Sequence, residues 1–225
     1  MNVVITGANR GVGLGLLRHY LAAGHQAWAC VRSDSKELAR LKSDSLHLVR
    51  WDVREAAPSG GAPLPERVDL LINNAGIWSA DGGETAQGLE DVTDRTMQEV
   101  FDVDCIGPLR VVQHLLPALL KARGVIVNVS SQMGSSADNT SGGSYAYRAA
   151  KAALVITTKS MAIDLAPRGV RAIAVHPGWV RTDMGGPDAR IDVDTSVAGL
   201  VKVFEAVSSY PLGAFVAYDG TQIPF

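Results

Sequence analysis

A tyrosine and a lysine stand four residues apart, at Tyr147 and Lys151, in a segment with a helical pattern. Side chains at positions i and i+4 of a helix share a face, so the phenol and the ammonium are expected to be neighbours. A nearby cation favours the phenolate, and we therefore expect the pKa of Tyr147 to be depressed. The pair is predicted to act as general acid in a carbonyl reduction. The same spacing is also common on solvated helices. Tyr145 is a rival hydroxyl, but its i+4 neighbour is Ala149.

Two serines, Ser130 and Ser131, follow the apolar run Val125–Val129. In open α/β sheets ligands bind at the carboxyl ends of the strands, which is where this run would place them. A hydroxyl there could hydrogen-bond a substrate carbonyl, or it could be an ordinary loop or capping group.

A glycine-rich turn follows the first apolar run, with the spacing G-x-x-x-G-x-G rather than G-x-G-x-x-G. Glycines at a strand-to-helix turn allow backbone N–H groups and the helix N-terminus to approach a pyrophosphate. A tight turn that only packs would look similar, but the position after the first strand of a βαβ unit favours nucleotide binding. The candidate cofactor contacts here are Thr6, Gly7, Asn9, Arg10, Gly11, Val12 and Gly13.

The second apolar run ends at Val31, where an NAD-binding domain would carry a ribose-binding acid. Arg32 stands there instead, and Arg10 supplies a second cation. Guanidinium groups bind phosphate through paired hydrogen bonds, so we expect NADP(H) in preference to NAD(H). The alternative is that Arg32 begins the next helix and that Asp34 binds the ribose hydroxyls.

Strand-length apolar runs alternate with amphipathic helical segments from end to end. This predicts an α/β fold: a single doubly wound Rossmann-type domain over residues 1–225, with a mostly parallel seven-stranded sheet and helices on both faces. The predicted strands are Asn2–Thr6, Gln26–Val31, Leu46–Arg50, Val68–Asn73, Val125–Val129, Val170–Val175 and Ala214–Tyr218. The predicted helices are Gly11–Gly24, Ser33–Lys42, Val92–Arg123 (with a bend at Pro108 or Pro117), Tyr145–Ala166 and Val193–Ser208. The Pro- and Gly-rich segment 56–66 is predicted to be a loop or a single turn.

The composition limits the classes of function. The 225 residues carry 21 Lys and Arg against 23 Asp and Glu, a formal charge of −2, which argues against a nucleic-acid binder. Two cysteines, Cys30 and Cys105, are too few for a disulfide framework, and no Cys or His spacing indicates a metal site. No apolar stretch approaches the roughly 20 residues that span a bilayer, and no leader-like region precedes Asn2. A cytoplasmic protein without membrane contact is expected.

These motifs together resemble the short-chain dehydrogenase/reductase family, and most of all its NADPH-dependent carbonyl-reductase and C-factor-like branch. The resemblance covers nearly the whole chain. The matching motifs occur in the family's order and are Thr6-Gly7-x-x-x-Gly11-x-Gly13, Asp52-Val53, Asn73-Asn74-Ala75-Gly76, Ser131, Tyr147-x-x-x-Lys151, and Pro177-Gly178 with Thr182. The family implies a hydride transfer between a nicotinamide cofactor and a carbonyl or alcohol substrate.

The resemblance also implies roles for individual residues. Tyr147 would protonate the substrate oxygen, Lys151 would lower the pKa of that tyrosine and hold the nicotinamide ribose, and Ser131 would orient the carbonyl. The remaining cofactor contacts would be Asp52 with Val53 at the adenine, Asn74, Ala75 and Gly76 beside the cofactor, and Pro177, Gly178, Val180 and Thr182 over the nicotinamide amide. Two features depart from the family: the Pro- and Gly-rich segment 56–66 stands where a helix is common, and Asp104 stands where an asparagine is usual. An ionised Asp104 near Lys151 would stabilise the ammonium and alter the pH profile.

The substrate and the oligomeric state are less determined. Trp78, Met133, Trp179 and Met184 are expected to line an apolar pocket for a medium-sized ketone, aldehyde or quinone, although they would also suit a core. Four loop acids, Asp81, Asp138, Asp183 and Asp188, are expected to be solvated. Two alternatives remain open: an NADP-binding signalling or regulatory protein with little turnover, and an epimerase or dehydratase on the same fold. The long helices resemble the family's homodimer surface, but monomers exist in this branch.

Overall fold

One eight-stranded sheet forms the middle layer of the protein in a computed structural model that describes residues 1–41, 43–79 and 87–225. Its order is β4-β3-β2-β1-β5-β6-β7-β8, and every neighbouring pair is parallel except β3 with β4. This confirms the predicted doubly wound Rossmann-type fold. The strands are β1 (Asn2–Thr6), β2 (Gln26–Val31), β3 (Leu46–Arg50), β4 (Gly60–Gly61), β5 (Leu70–Asn73), β6 (Val125–Val129), β7 (Arg171–His176) and β8 (Phe215–Ala217).

The strand that the sequence did not predict is β4, which lies inside the segment 56–66. It pairs antiparallel with β3, joining Val49 to Gly61 and Arg50 to Gly60. Gly61 has a φ of 94°, and a Cβ there would lie 2.4 Å from the carbonyl oxygen of Leu48. Glycine therefore permits the close pairing, and because two glycines carry no side-chain alternation, the strand left no periodic signal.

Helices cover both faces of the sheet and divide the core in two. On one face α1 (Gly11–Ala22) and α6 (Val193–Glu205) pack against the sheet, and on the other α4 (Gly107–Ala122) and α5 (Tyr145–Leu165). The strands alternate between the two cores: in β1, Val3 and Ile5 belong to the first and Val4 to the second. Because both faces are covered, the strands read as continuous apolar runs.

The predicted helix Val92–Arg123 is divided in the structure. It begins as α3 (Asp94–Phe101), widens into a π-helical turn at Asp102–Ile106, and continues as α4. Pro108 lies in the first turn of α4 and has no N–H to give to the carbonyl four residues earlier, so the regular ladder is interrupted there. The interruption of the regular helix therefore lies immediately before Pro108, one of the two positions where a bend was predicted, whereas α4 continues through Pro117. The wide turn contains Asp104.

The segment Asp94–Ala122 is long and apolar enough to cross a membrane by length and composition. This corrects the prediction that no apolar stretch approaches that length. Half of its most apolar window is buried within the protein, where Val111, Leu115 and Leu119 join the core. Burial of this kind is also typical of a helix packed on a sheet.

The other differences are at element ends. The predicted helix Ser33–Lys42 is a single turn, α2 (Lys36–Ala39), and the side chain of Ser35 caps it by accepting the Leu38 N–H at 3.0 Å. Lys42, where that helix was expected to end, lies outside the described residues, as does Asp81, one of the acids expected to be solvated.

Candidate active site

The carboxyl ends of β1 and β5 are joined by side-chain hydrogen bonds. Thr6 Oγ1 accepts the backbone N–H groups of Asn74 and Ala75, each at 3.1 Å. The Asn74 amide donates to the carbonyl oxygens of Thr6 and Gly7, each at 3.1 Å. A Cβ on Gly13 would lie 2.4 Å from that amide nitrogen, so only glycine allows the turn this close to residues 74–76.

The N-terminus of α1 is arranged to receive an anion. Arg10 occupies the N-cap position but makes no side-chain capping hydrogen bond, and Gly7 and Gly11 adopt φ values of 65° and 54°. The first N–H groups of a helix have no partner within the helix, and together with the helix dipole they favour a phosphate. The uncapped helix and the glycine turn therefore fit the pyrophosphate of a dinucleotide.

Charged side chains gather beside this turn. Arg32 is exposed at the end of β2, and Asp34 is paired with Arg50 at 2.5 Å. Arg10 Nη1 pairs with Asp183 Oδ2 at 3.0 Å, with side chains 61% and 76% exposed. Asp183 is solvated, as expected, and it also forms this ion pair. Asp34, the alternative ribose ligand, already has a cationic partner.

Two more loops at this edge are fixed in place. Asp52 forms an ion pair with Arg54, whose Nη2 donates to Asp52 Oδ2 at 2.6 Å. Hydrogen bonding to Arg54 lowers the pKa of Asp52. Asn9 is tied to the loop after β2 because its carbonyl accepts the Ser35 hydroxyl at 2.7 Å. Ser35 was not among the predicted site residues, and its only signal in the sequence is its fitness as a helix cap. Val53, next to Asp52, is buried in the core.

The loop after β7 reaches back to the glycine turn. The carbonyl of Pro177 accepts the Ser196 hydroxyl at 2.6 Å, and Gly178 follows with a φ of 88°. Val180 is buried, and a Cβ on Gly11 would lie 3.3 Å from the methyl group of Thr182. The segment predicted to cover the nicotinamide therefore lies against the segment predicted to hold the pyrophosphate.

Tyr147, Lys151 and Ser131 meet behind this edge. Both α5 side chains are buried, and Lys151 Nζ lies 5.5 Å from the centre of the Tyr147 ring. The Ser131 side chain is close enough to the Tyr147 phenol to lower its pKa. The turn after Ser131 lies directly on α5, where a Cβ on Gly134 would be 2.7 Å from the Lys151 carbonyl carbon. The close packing of this turn holds the three side chains together.

Asp104 forms a buried ion pair with Lys151. Nζ lies 3.0 Å from Asp104 Oδ2 and donates to the Val129 carbonyl at 3.1 Å, while Asp104 Oδ1 accepts the Ile77 N–H at 2.8 Å. The two side chains are 5% and 0% exposed. A Cβ on Gly76 would lie 3.3 Å from Asp104 Oδ2 and from Lys151 Nζ. The Asn73–Gly76 motif at the end of β5 therefore passes immediately beside the ion pair.

Burial is the largest single influence on the pKa of each of these groups, and it decides the direction for Tyr147 and Asp104 but not for Lys151. Burial raises the pKa of Tyr147 above its ordinary value, and the lowering by Lys151 and the Ser131 hydrogen bond does not compensate for it. The expectation of a depressed Tyr147 pKa is therefore wrong in its net direction; Asp104, which raises that pKa further, contributes to the difference. Burial alone would lower the pKa of Lys151, but Asp104 and Tyr147 raise it. Burial raises the pKa of Asp104 against the attraction of Lys151.

A model of the family described as short chain dehydrogenase matches residues 1–190. The chain belongs to this family. Its relatives include a protein named C-signal from Myxococcus xanthus, 44% identical over 162 residues, which are 70% of this chain and 93% of that protein. Similar solved structures include an NADPH-bound carbonyl reductase from chicken fatty liver, 32% identical with a TM-score of 0.88, which covers 100% of this chain and 98% of that one. The carbonyl reductase Sniffer of D. melanogaster is 29% identical with a TM-score of 0.87, covering 100% and 99%.

Family membership confirms the resemblance drawn from the motifs. Of the four predicted pocket residues in this family member, Trp78 lies against the candidate acid, with its ring 4.7 Å from that of Tyr147. Met133 donates its N–H to Ser131 Oγ at 3.2 Å. Trp179 and Met184, on the loop after β7, are 48% and 47% exposed, and their place in a pocket stays a prediction. Two surface cavities of about 390 and 540 Å³ are lined by residues of α4 and of α3, respectively.

One buried polar residue beside the site was missed. Gln87 is 5% exposed, and its side-chain oxygen accepts the backbone N–H of Tyr147 at 3.0 Å. It stands in a loop where neither periodicity nor a family motif marks it. A single glutamine between Ala86 and Gly88 gives no signal that it will be buried.

Proposed function

We propose that this family member is an NADP(H)-dependent carbonyl reductase acting on a ketone, an aldehyde or a quinone. The observation that carries the proposal is the convergence of Ser131, Tyr147 and the buried Lys151 beside the glycine turn after β1. A phenol, a hydroxyl and an ammonium in one place suit proton transfer to a carbonyl oxygen. The likeness to carbonyl reductases supports the same reaction.

We favour NADP(H) because two guanidinium groups, Arg10 and Arg32, flank the turn, while Asp34 is engaged by Arg50. The chicken carbonyl reductase has NADPH bound, and a similar structure from Burkholderia multivorans, 29% identical with a TM-score of 0.86, has NADP bound. When bound, the cofactor supplies the hydride that the carbonyl carbon accepts. The uncapped N-terminus of α1 would hold its pyrophosphate.

The side chains would supply the proton and the placement. The Ser131 hydroxyl donates a hydrogen bond to the carbonyl oxygen and so orients the carbonyl. As the carbon accepts the hydride, the Tyr147 hydroxyl gives its proton to that oxygen, and the product is the alcohol. The phenolate left on Tyr147 is stabilised by the Lys151 ammonium and regains a proton from solvent. Burial of Tyr147 keeps the phenol protonated at neutral pH, as a general acid requires.

The test is NADPH oxidation with a panel of carbonyl compounds, comparing Tyr147→Phe with Tyr145→Phe. Both substitutions remove one hydroxyl from the first turn of α5, but Tyr145 is 41% exposed and has no ammonium at i+4. We expect Tyr147→Phe to lower kcat by about 10²–10⁴-fold and Tyr145→Phe to leave it unchanged. Equal activities of the two variants would contradict the assignment of Tyr147.

A second candidate is an NADP-binding signalling protein with little turnover, and the 44% identity to C-signal favours it. The same assay separates the two candidates. Tight NADPH binding without consumption of NADPH on any carbonyl would support the signalling candidate. Turnover that Tyr147→Phe abolishes would support the reductase.

A further inference from the structure

The N-terminus of α5, which carries Tyr147, has no cap of its own. Ser144 stands at the N-cap position with a φ of 50°, and its side chain makes no capping hydrogen bond. The two residues before it, Gly142 and Gly143, also have positive φ values. The chain therefore enters α5 in a left-handed conformation, in which the usual Ser-type cap is not formed. The first N–H groups of the helix need partners from elsewhere.

Gln87 accepts two of these N–H groups. Its backbone carbonyl accepts the Tyr145 N–H at 3.2 Å, and its side-chain Oε1 accepts the Tyr147 N–H at 3.0 Å. Its Nε2 donates to the Trp78 carbonyl. The orientation of the amide follows from its partners, because an N–H can only donate and a carbonyl can only accept. Gln87 is buried, so leaving either partner unpaired would cost the full desolvation of a buried polar group.

The same glutamine thus holds both members of a ring pair. Trp78 and Tyr147 have ring centres 4.7 Å apart at an angle of 40°. One amide fixes the backbone of the tyrosine through its oxygen and the backbone of the tryptophan through its nitrogen. We propose that Gln87 is a positioning residue that fixes the Tyr147 phenol and the Trp78 indole as a single unit, so that the proton donor and one wall of the substrate pocket are set together. This inference rests on the proposed reductase function.

Two substitutions distinguish the role of the Gln87 side-chain oxygen from that of its side-chain nitrogen. Gln87→Glu keeps an oxygen that accepts the Tyr147 N–H but removes the donor to Trp78. Gln87→Leu has a similar size and removes both. We expect Gln87→Glu to raise KM for bulky carbonyls at least fivefold with kcat within threefold of wild type. We expect Gln87→Leu to raise KM similarly and also to lower kcat at least tenfold. Gln98→Leu, an exposed glutamine on α3, is the matched control and should change neither.

A readout independent of turnover is amide hydrogen exchange over residues 145–150. Exchange should accelerate at least tenfold in Gln87→Leu and stay close to wild type in Gln87→Glu, because only the former loses the acceptor for the Tyr147 N–H. Wild-type kcat and exchange in Gln87→Leu, or equal kcat losses in both Gln87 variants, would overturn the proposal. If the wild-type protein consumes no NADPH on any carbonyl, the reductase function fails, whereas the exchange result still decides whether Gln87 holds the helix.

Discussion

Replacing Asp104 by asparagine should move the pH dependence of activity towards lower pH. The carboxylate lies 3.0 Å from Lys151 Nζ, with both side chains almost fully buried. At that distance, opposite unit charges attract by about 1.4 kcal/mol at the dielectric constant of water and about 5.5 kcal/mol at an effective value of about 20. Even the smaller figure changes the protonation equilibrium of Lys151 about tenfold. The single asparagine oxygen can accept either the Ile77 N–H or the Lys151 ammonium but not both, so the substitution removes the charge and one hydrogen-bond acceptor.

The direction follows from both partners of the carboxylate. Asp104 raises the pKa of Lys151 and raises the pKa of Tyr147, so its removal lowers both. We therefore expect the ionisation seen in kcat/KM to occur at lower pH in Asp104→Asn, with activity retained. The assay is a pH series of kcat/KM for one carbonyl at saturating NADPH.

Asp102→Asn provides the control, because it makes the same chemical change in the same π-helical turn. Asp102 pairs with Arg110 at 2.7 Å, but these side chains are 32% and 26% exposed. An ion pair that is partly exposed to solvent has a weak electrostatic interaction. The pH profile of Asp102→Asn should therefore match that of the wild type. If the Asp104→Asn curve superimposes on wild type, or if Asp102→Asn moves it equally, the coupling of Asp104 to the tyrosine–lysine pair is refuted.

Two further outcomes are expected. In fluorescence titrations, Arg10→Ala should weaken NADPH binding about 10–100-fold and leave NADH binding unchanged. The reason is that a hydrogen bond to a charged group contributes about 1.5–3 kcal/mol. Equal losses of affinity for both cofactors would argue against a contact between Arg10 and the 2′-phosphate. Burial lowers the pKa of His176 from 6.5 to about 4, so the unfolded chain binds more protons in this window and stability falls as pH falls through it. Urea unfolding should show a loss of up to about 3 kcal/mol over that range, and a smaller loss in His176→Leu; parallel curves for the two proteins would exclude His176 as the cause.

The sequence predicts well wherever a side-chain pattern reports the environment. The apolar runs at β1, β2 and β6 have the predicted bounds because strands buried on both faces are largely apolar along their length. The bounds of β3 are also as predicted, although its pattern is mixed and Leu48 is exposed. Ser131, Tyr147 and Lys151 lie together, as predicted, at one end of the sheet. Ser131 follows the end of β6, and Tyr147 and Lys151 share one face of α5. The two glycines of β4 have no such pattern, so the strand was missed.

The sequence could not predict the balance between burial and nearby charge in setting a pKa, nor the contacts that loops make. Spacing places Lys151 beside Tyr147, but it does not report that Tyr147 is buried, and burial decides the direction of its pKa. The pairing of Arg10 with Asp183 joins residues 173 positions apart. The contacts of Gln87 likewise depend on how a loop lies against α5, which no local propensity encodes.

The short strand β4 has a counterpart at the opposite border of the sheet. There β8 is followed by a reversal in which Val216 bridges antiparallel to Gln222 and the Ile223 N–H reaches the Phe215 carbonyl at 2.8 Å. The outward backbone groups of β3 and of β8 are therefore partly paired with a short segment of the same chain that turns back along the strand. Open borders invite pairing with foreign strands, and short, glycine- or proline-flanked pieces are a way to discourage it. At either edge of the sheet, pairing with a strand from another molecule would first have to displace one of these short segments.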